Sequence, residues 1–265
     1  MINFDRKKYP IYASFLNQLA KDLTKFYYLK LNRTFKVSNK LKGKGYDPVT
    51  TSDRAFEKFI RSKIKKKFPT HQVIGEEYGS TNSKSDYTWV IDPIDGTRSF
   101  IAGHKDFGTL IALLHNNKPV LGIINCPAHQ ERWVGIKNEK TRLNNQVIKT
   151  SAVKKIKDAY LFTSGIYFSE PILKKGYQLI RDKSKYFRLG GDCYMYGMLA
   201  SGLIDIVIED TLKAHDYMAL VNVIEGAGGK ITDKFGNDVT IESDGSLIAS
   251  SSSEIHNELI NIINS

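Results

Sequence analysis

Asp92 and Asp95 stand a Pro-Ile step apart, directly after the apolar run Trp89-Val90-Ile91. Pro93 fixes its own φ and biases Asp92 toward an extended form, so both carboxyl groups leave one stiff segment. Gly96 follows, and it permits a sharp turn and a close backbone approach to a ligand. Two carboxylates held this close repel each other unless a cation sits between them. Hard oxygen donors, with no cysteine or histidine cluster beside them, suit Mg²⁺ rather than zinc. If Gly96 and Thr97 open a helical turn, their N–H groups can meet a phosphate oxygen.

Three further segments deliver acids where a strand or loop ends. They are Asp47-Pro-Val-Thr-Thr-Ser-Asp53 at the mouth of a helix, Gly75-Glu76-Glu77 after a short strand, and His215-Asp216 at a helix start. Taken singly, Asp53 and Asp216 read as helix caps, Glu76 as a surface loop residue, and Asp95-Gly96 as a plain turn. Taken jointly, with Asp92 and Asp95 behind a buried strand, they read as a metal site. No Gly-x-Ser-x-Gly elbow occurs, which argues against a serine hydrolase.

The elements that must hold these acids are legible in the apolar spacing. Ile11, Phe15, Leu19, Leu23 and Phe26 predict an amphipathic helix over 10–30. A Lys- and Gly-rich loop over 36–46 leads to a second helix over 52–68, with Phe56, Phe59, Ile60, Ile64 and Phe68 on one face. Strands are expected at 72–74, 87–91, 107–114, 120–125 and 132–136. Beyond them, strands at 159–163, 204–209 and 246–250 alternate with helices at 171–181, 193–201, 216–226 and 253–263. The first part, 1–150, reads as α+β and the second, 151–265, as α/β, joined as one compact unit.

The chain of 265 residues has 41% hydrophobic and 25% charged residues, ordinary for a globular protein. No apolar run reaches membrane-span length, and Met1 to Pro10 has no apolar leader core, so an intracellular, cytoplasmic protein is expected. The net charge of +11 raises the question of nucleic acid. The lysines are scattered, however, and the densest run, Lys63 to Lys67, reads as a solvated helix face. A basic surface also attracts a small anionic substrate. Cys126 and Cys193 are far apart in the chain and read as two reduced thiols.

With these residues in view, the chain resembles the inositol monophosphatase superfamily of Mg²⁺-dependent phosphatases. The resemblance runs from Asp47-Pro-Val-Thr50 to Gly226-Ala-Gly-Gly229 and centres on Asp92-Pro-Ile-Asp-Gly-Thr97. It implies a layered αβαβα sandwich of the sugar-phosphatase type, a homodimer and two or three Mg²⁺ ions. Glu76, Asp92, Asp95 and Asp216 would then be the side-chain metal ligands, joined by the carbonyl of Ile94. Asp53 and Thr97 would orient the attacking water, Glu76 would count as catalytic as well as metal-binding, and Gly96 and Thr97 would hold the phosphate. Lys42 would sit near the site.

Within the superfamily the chain is most similar to the histidinol-phosphatase branch. The similar stretches are Asp95-Gly-Thr-Arg-Ser-Phe-Ile-Ala-Gly103, the hairpin from Phe107 to Ile124 with Glu131-Arg-Trp133, and Gly190-Gly-Asp-Cys-Tyr194. Asp192 and Glu209 would contact the alcohol part of the substrate, where a carboxylate suits a cationic amine or imidazolium. The alternatives are an inositol-1-phosphate phosphatase and a 3′(2′),5′-bisphosphate nucleotidase. A non-catalytic nucleic-acid-binding or regulatory protein would have no need of the whole acid set. The family's usual aromatic residue before the late acid is replaced by His215.

Overall fold

The computed structural model describes residues 9–31, 35–42 and 45–265. Residues 1–8, and Gly43 and Lys44 of the expected loop, lie outside the described residues. Helix α1 (Tyr9–Phe26) buries Tyr12, Leu16, Leu19 and Leu23, a stripe of three- and four-residue steps, and ends in a π-helical turn, Tyr27–Leu31. Ile11, expected on that face, is 51% exposed, because it lies one residue out of phase with the stripe. Helix α2 (Thr51–Lys67) follows a small hairpin of β1 (Val37–Asn39) and β2 (Pro48–Thr50). Its Phe56, Ile60 and Ile64 face inward, and Lys65, Lys66 and Lys67 face solvent in the last turn, where a helix end favours cations.

The larger sheet holds eight strands in the order β10-β9-β8-β7-β6-β5-β3-β4. These are β3 (Gln72–Gly75), β4 (Gly79–Ser80), β5 (Tyr87–Asp95), β6 (Gly108–His115), β7 (Lys118–Cys126), β8 (Glu131–Ile136), β9 (Arg142–Leu143) and β10 (Gln146–Val147). Only β3 and β5 run parallel. The second sheet holds five strands, β12-β11-β13-β15-β14. They are β11 (Tyr160–Thr163), β12 (Tyr186–Leu189), β13 (Ile206–Glu209), β14 (Lys230–Thr232) and β15 (Leu247–Ser250). β12 and β14 escape a reading of the sequence, since β12 is an exposed edge with no alternation and β14 spans only 3 residues.

The remaining helices are α3 (Thr97–Ala102), α4 (Pro171–Lys183), α5 (Asp192–Ala200), α6 (Ala214–Gly226) and α7 (Ser253–Ile263). Three cores stack the elements into αβαβα layers. One lies between α1, α2 and the larger sheet. The central one joins both sheets through α5 and α6, and the third lies between the second sheet and α4 and α7. Every residue of β6 is buried, as layers on both faces require. Gly122 and Gly135 let α6 lie directly on the sheet, since a Cβ there would stand 2.0 Å from Ala219 O and 2.2 Å from Asn222 O respectively. Cys126 and Cys193 are both free and buried, and the fold brings them together: a Cβ on Gly108 would lie 2.9 Å and 2.7 Å from their sulfurs.

One buried group ties stability to pH. His256 lies between Thr232 Oγ, 2.8 Å from Nε2, and Ser250 Oγ, 3.0 Å from Nδ1. Burial first, and then the charge of Lys230, pulls its pKa from 6.5 to about 4. As pH falls, the unfolded chain takes up this proton before the folded one does. The contribution is therefore whole above pH 6.5 and is lost progressively as pH falls toward 4. Urea unfolding at pH 7 and 4.5 should show the His256→Gln variant losing about 2–3 kcal/mol less than the parent over this interval.

Candidate active site

The acids converge where β5 ends. Register with β6 slips between Asp92 and Asp95, and Thr109 Oγ donates to Pro93 O at 2.8 Å, which fixes the irregular step between the two carboxyl groups. Glu76 follows the parallel neighbour β3, and its N–H donates to Ile91 O at 3.2 Å. Asp216 occupies the first turn of α6, its Oδ2 accepts the Lys213 N–H at 2.7 Å, and its Oδ1 stands 3.4 Å from His215 Nε2. One carboxylate oxygen each from Asp92, Asp95 and Asp216 lie within 4.8 Å of one another. Ligand atoms of Glu76, Asp92 and His215 form a second such group.

The electrostatics call for a cation. Burial, followed by Glu76, Asp95 and Asp216, holds the Asp92 carboxyl well above the ordinary carboxylate range. Burial, then Asp192 and Asp216, does the same to Asp95, although the Cys193 N–H donates to its Oδ2 at 2.6 Å. Asp92 Oδ1 and Glu76 Oε2 are buried with no hydrogen-bond partner among the described residues. Such orphaned acceptors are costly unless a ligand meets them. The all-oxygen set of Asp92, Asp95 and Asp216 fits a hard divalent cation such as Mg²⁺.

Asp53 serves the helix and the cleft together. Its Oδ2 accepts the Thr50 N–H at 2.7 Å and the Thr50 hydroxyl at 2.5 Å, the cap of α2. Its Oδ1 stands 3.2 Å from Thr97 Oγ, which is itself 3.0 Å from Ile94 O. Burial raises the Asp53 pKa despite the Thr50 hydrogen bonds. Gly96 takes φ of +80°, a left-handed conformation that suits glycine, and Thr97 begins α3.

The opposite wall comes from the second half of the chain. Asp192 opens α5 with φ of +42°, and its Oδ2 accepts the Ser99 hydroxyl at 2.5 Å. Glu209, at the end of β13, accepts hydroxyls from Ser164 and from Tyr196, the latter at 2.7 Å. Burial raises the Glu209 pKa to about 7 against those two hydrogen bonds. Both acids line one cleft of about 250 Å³ together with Glu76, Asp92, Asp95, Asp216, Gly96 and Thr97.

Lys42 is exposed and does not line this cleft. Lys40 reaches the cluster instead, with Nζ 2.7 Å from Glu76 Oε1 and 2.6 Å from Glu77 Oε1. Burial alone would lower the Lys40 pKa, but the two carboxylates hold it raised. The loop after β3 is braced by the buried Glu57, which accepts the Glu77 N–H at 2.7 Å and the Arg61 Nε–H at 2.7 Å. Glu57 carries no motif signal beyond its four-residue spacing from Arg61, so it does not stand out before the fold is known, whereas His215 stands out in the sequence only as a departure from the family pattern and not as a metal-ligand candidate.

A family model described as "Inositol monophosphatase family" matches residues 12–265. "Bifunctional phosphatase IMPL2, chloroplastic" of Arabidopsis thaliana is 46% identical over 206 residues, which are 77% of this chain and 60% of that protein. The chain therefore spans less than two thirds of that relative's length. "Histidinol-phosphatase" of Chlorobaculum parvum is 33% identical over 199 residues, 75% of this chain and 77% of that protein. Among solved structures, an inositol monophosphatase from Zymomonas mobilis superposes with a TM-score of 0.81 at 34% identity, covering 97% of this chain and 99% of that one.

Proposed function

The chain belongs to the inositol monophosphatase family, and from that premise we propose that it hydrolyses L-histidinol phosphate to L-histidinol and phosphate with Mg²⁺. The observation that carries this reading is the partly buried acid cluster with orphaned oxygens, facing a second acidic wall across one small cleft. Glu76, Asp92, Asp95 and Asp216 would hold the metal, with the Ile94 carbonyl beside them. Bound Mg²⁺ would supply Lewis acidity, lowering the pKa of water so that hydroxide is available near neutral pH and neutralising charge on the phosphoryl and leaving oxygens.

The rest is done by the chain. Thr97 Oγ presents its lone pairs to the attacking water and can pass its proton to Asp53 Oδ1, 3.2 Å away. The N–H groups of Gly96 and Thr97 hold the phosphate, and no covalent phospho-enzyme is needed. Asp192 and Glu209 receive the substrate's cationic end, and a cation there stabilises the ionised form of Glu209. A homodimer in the cytoplasm acting on a small soluble ester, with no nucleic-acid or membrane partner, completes the reading. The exposed Lys42 has no contact role in it; Lys40 takes the place beside Glu76.

The test is phosphate release with Mg²⁺ from L-histidinol phosphate, inositol-1-phosphate and adenosine 3′,5′-bisphosphate in parallel. A kcat/KM for histidinol phosphate far above the other two is expected. Similar values, or a preference for either rival, would overturn the substrate while leaving phosphatase chemistry. Asp192→Asn is the companion variant, because Asn tolerates a left-handed φ and still accepts from Ser99. It should raise KM for histidinol phosphate about 10- to 100-fold with little change for inositol-1-phosphate, as loss of one charge-assisted contact predicts.

A further inference from the structure

A second cavity, of about 450 Å³, lies between α1 and the ends of β7 and β8, and it shares no lining residue with the acidic cleft. Lys21, Lys25 and Tyr28 lie on one face of the α1 segment at steps of four and three. The Tyr28 hydroxyl donates to Pro127 O at 2.9 Å and closes one side. Across the cavity stand Asn125 of β7 and Arg132 of β8.

Two of these groups lack the partners their chemistry asks for. Asn125 is 2% exposed, and its buried Nδ2 donor has no hydrogen-bond partner among the described residues. The Arg132 guanidinium is partly buried, and that burial lowers its pKa. Among the described residues, Arg132, Lys21 and Lys25 form no ion pair. The carboxylate present, Glu131, is engaged elsewhere through Oε2, which accepts the Tyr194 hydroxyl at 2.8 Å. Three cations outside any ion pair outnumber the single lining carboxylate, and with an unmet amide donor around the same cavity they match an oxyanion with several acceptor oxygens.

We propose that this cavity is a binding site for a small dianionic oxyanion of the phosphate class, separate from the catalytic cleft. A planar guanidinium and an amide donor can take separate oxygens of one phosphate, while the two lysines supply charge from the helix. The site stands on residues that the hydrolytic reading does not use, so its failure would leave that reading untouched.

Inorganic phosphate titrated into the full-length, metal-stripped protein in EDTA tests this by calorimetry. Without metal the acidic cleft repels phosphate, so saturable binding reports the second cavity. One phosphate per chain is expected, with affinity at least about tenfold weaker in Arg132→Gln. The doubly substituted Lys21→Gln, Lys25→Gln protein should weaken similarly while melting like the parent, because both lysines are exposed on the helix. Asp95→Asn should bind phosphate as the parent does. Absence of saturable binding, equal affinity in the basic-residue variants, or loss of binding in Asp95→Asn would each overturn the proposal.

Discussion

Asp95→Asn is expected to lower kcat at least about a thousandfold while the fold survives. The carboxylate is half-buried at the wall of the cleft, within 4.8 Å of oxygens from Asp92 and Asp216. Asn is nearly the same size and can still accept the Cys193 N–H through its remaining oxygen, so packing at the start of α5 is kept. What is lost is negative charge at the point where a cation must be held. The same charge is a burden without metal, since burial, Asp192 and Asp216 all disfavour its ionised form. Metal-stripped Asp95→Asn should therefore melt higher than metal-stripped parent. Added Mg²⁺ should raise the melting temperature of the parent far more than that of the variant. Activity close to the parent's in the presence of Mg²⁺ would sink the assignment.

Gly122→Ala should cost about 3 kcal/mol or more, a fall of roughly 6–12 °C in Tm for a chain this long. The added Cβ would meet Ala219 O at 2.0 Å, Ala219 C at 2.8 Å and Ala219 Cα at 3.1 Å, all backbone atoms of α6. No rotamer change relieves a clash with backbone, so α6 must lift from the sheet. That helix carries Asp216 in its first turn, so the movement also withdraws an acid from the cluster. Activity should fall along with stability. Gly165→Ala is the matched control, with nothing within 4 Å of its Cβ and no positive φ, and its melting point should stay close to the parent's. A parent-like melting point in Gly122→Ala would contradict the close seating of α6.

Much of this architecture is legible in the sequence because it is written in short-range patterns. The three-residue step from Asp92 to Asp95, the apolar strand before it and the glycine after it report local geometry that no distant contact overrides. The apolar spacing shows which faces of the helices and strands need cover, giving an α+β first part and an α/β second part, while the αβαβα order of layers is what the family resemblance implies. Lys40 is different. It and Lys42 occupy the same Gly- and Lys-rich stretch, and only the hairpin of β1 and β2 decides which of them faces Glu76. Glu57 and the approach of His215 to Glu76 and Asp92 are likewise illegible beforehand, because they depend on elements far away in the chain. The meeting of Cys126 and Cys193 beneath Gly108 is a tertiary fact of the same kind.

Isothermal titration of Mg²⁺ into metal-stripped protein tests the central claim most directly. The account predicts saturable Mg²⁺ binding by the parent, weakened at least about tenfold in Asp95→Asn. Absence of saturable binding in the parent, or equal affinity in both proteins, would contradict it.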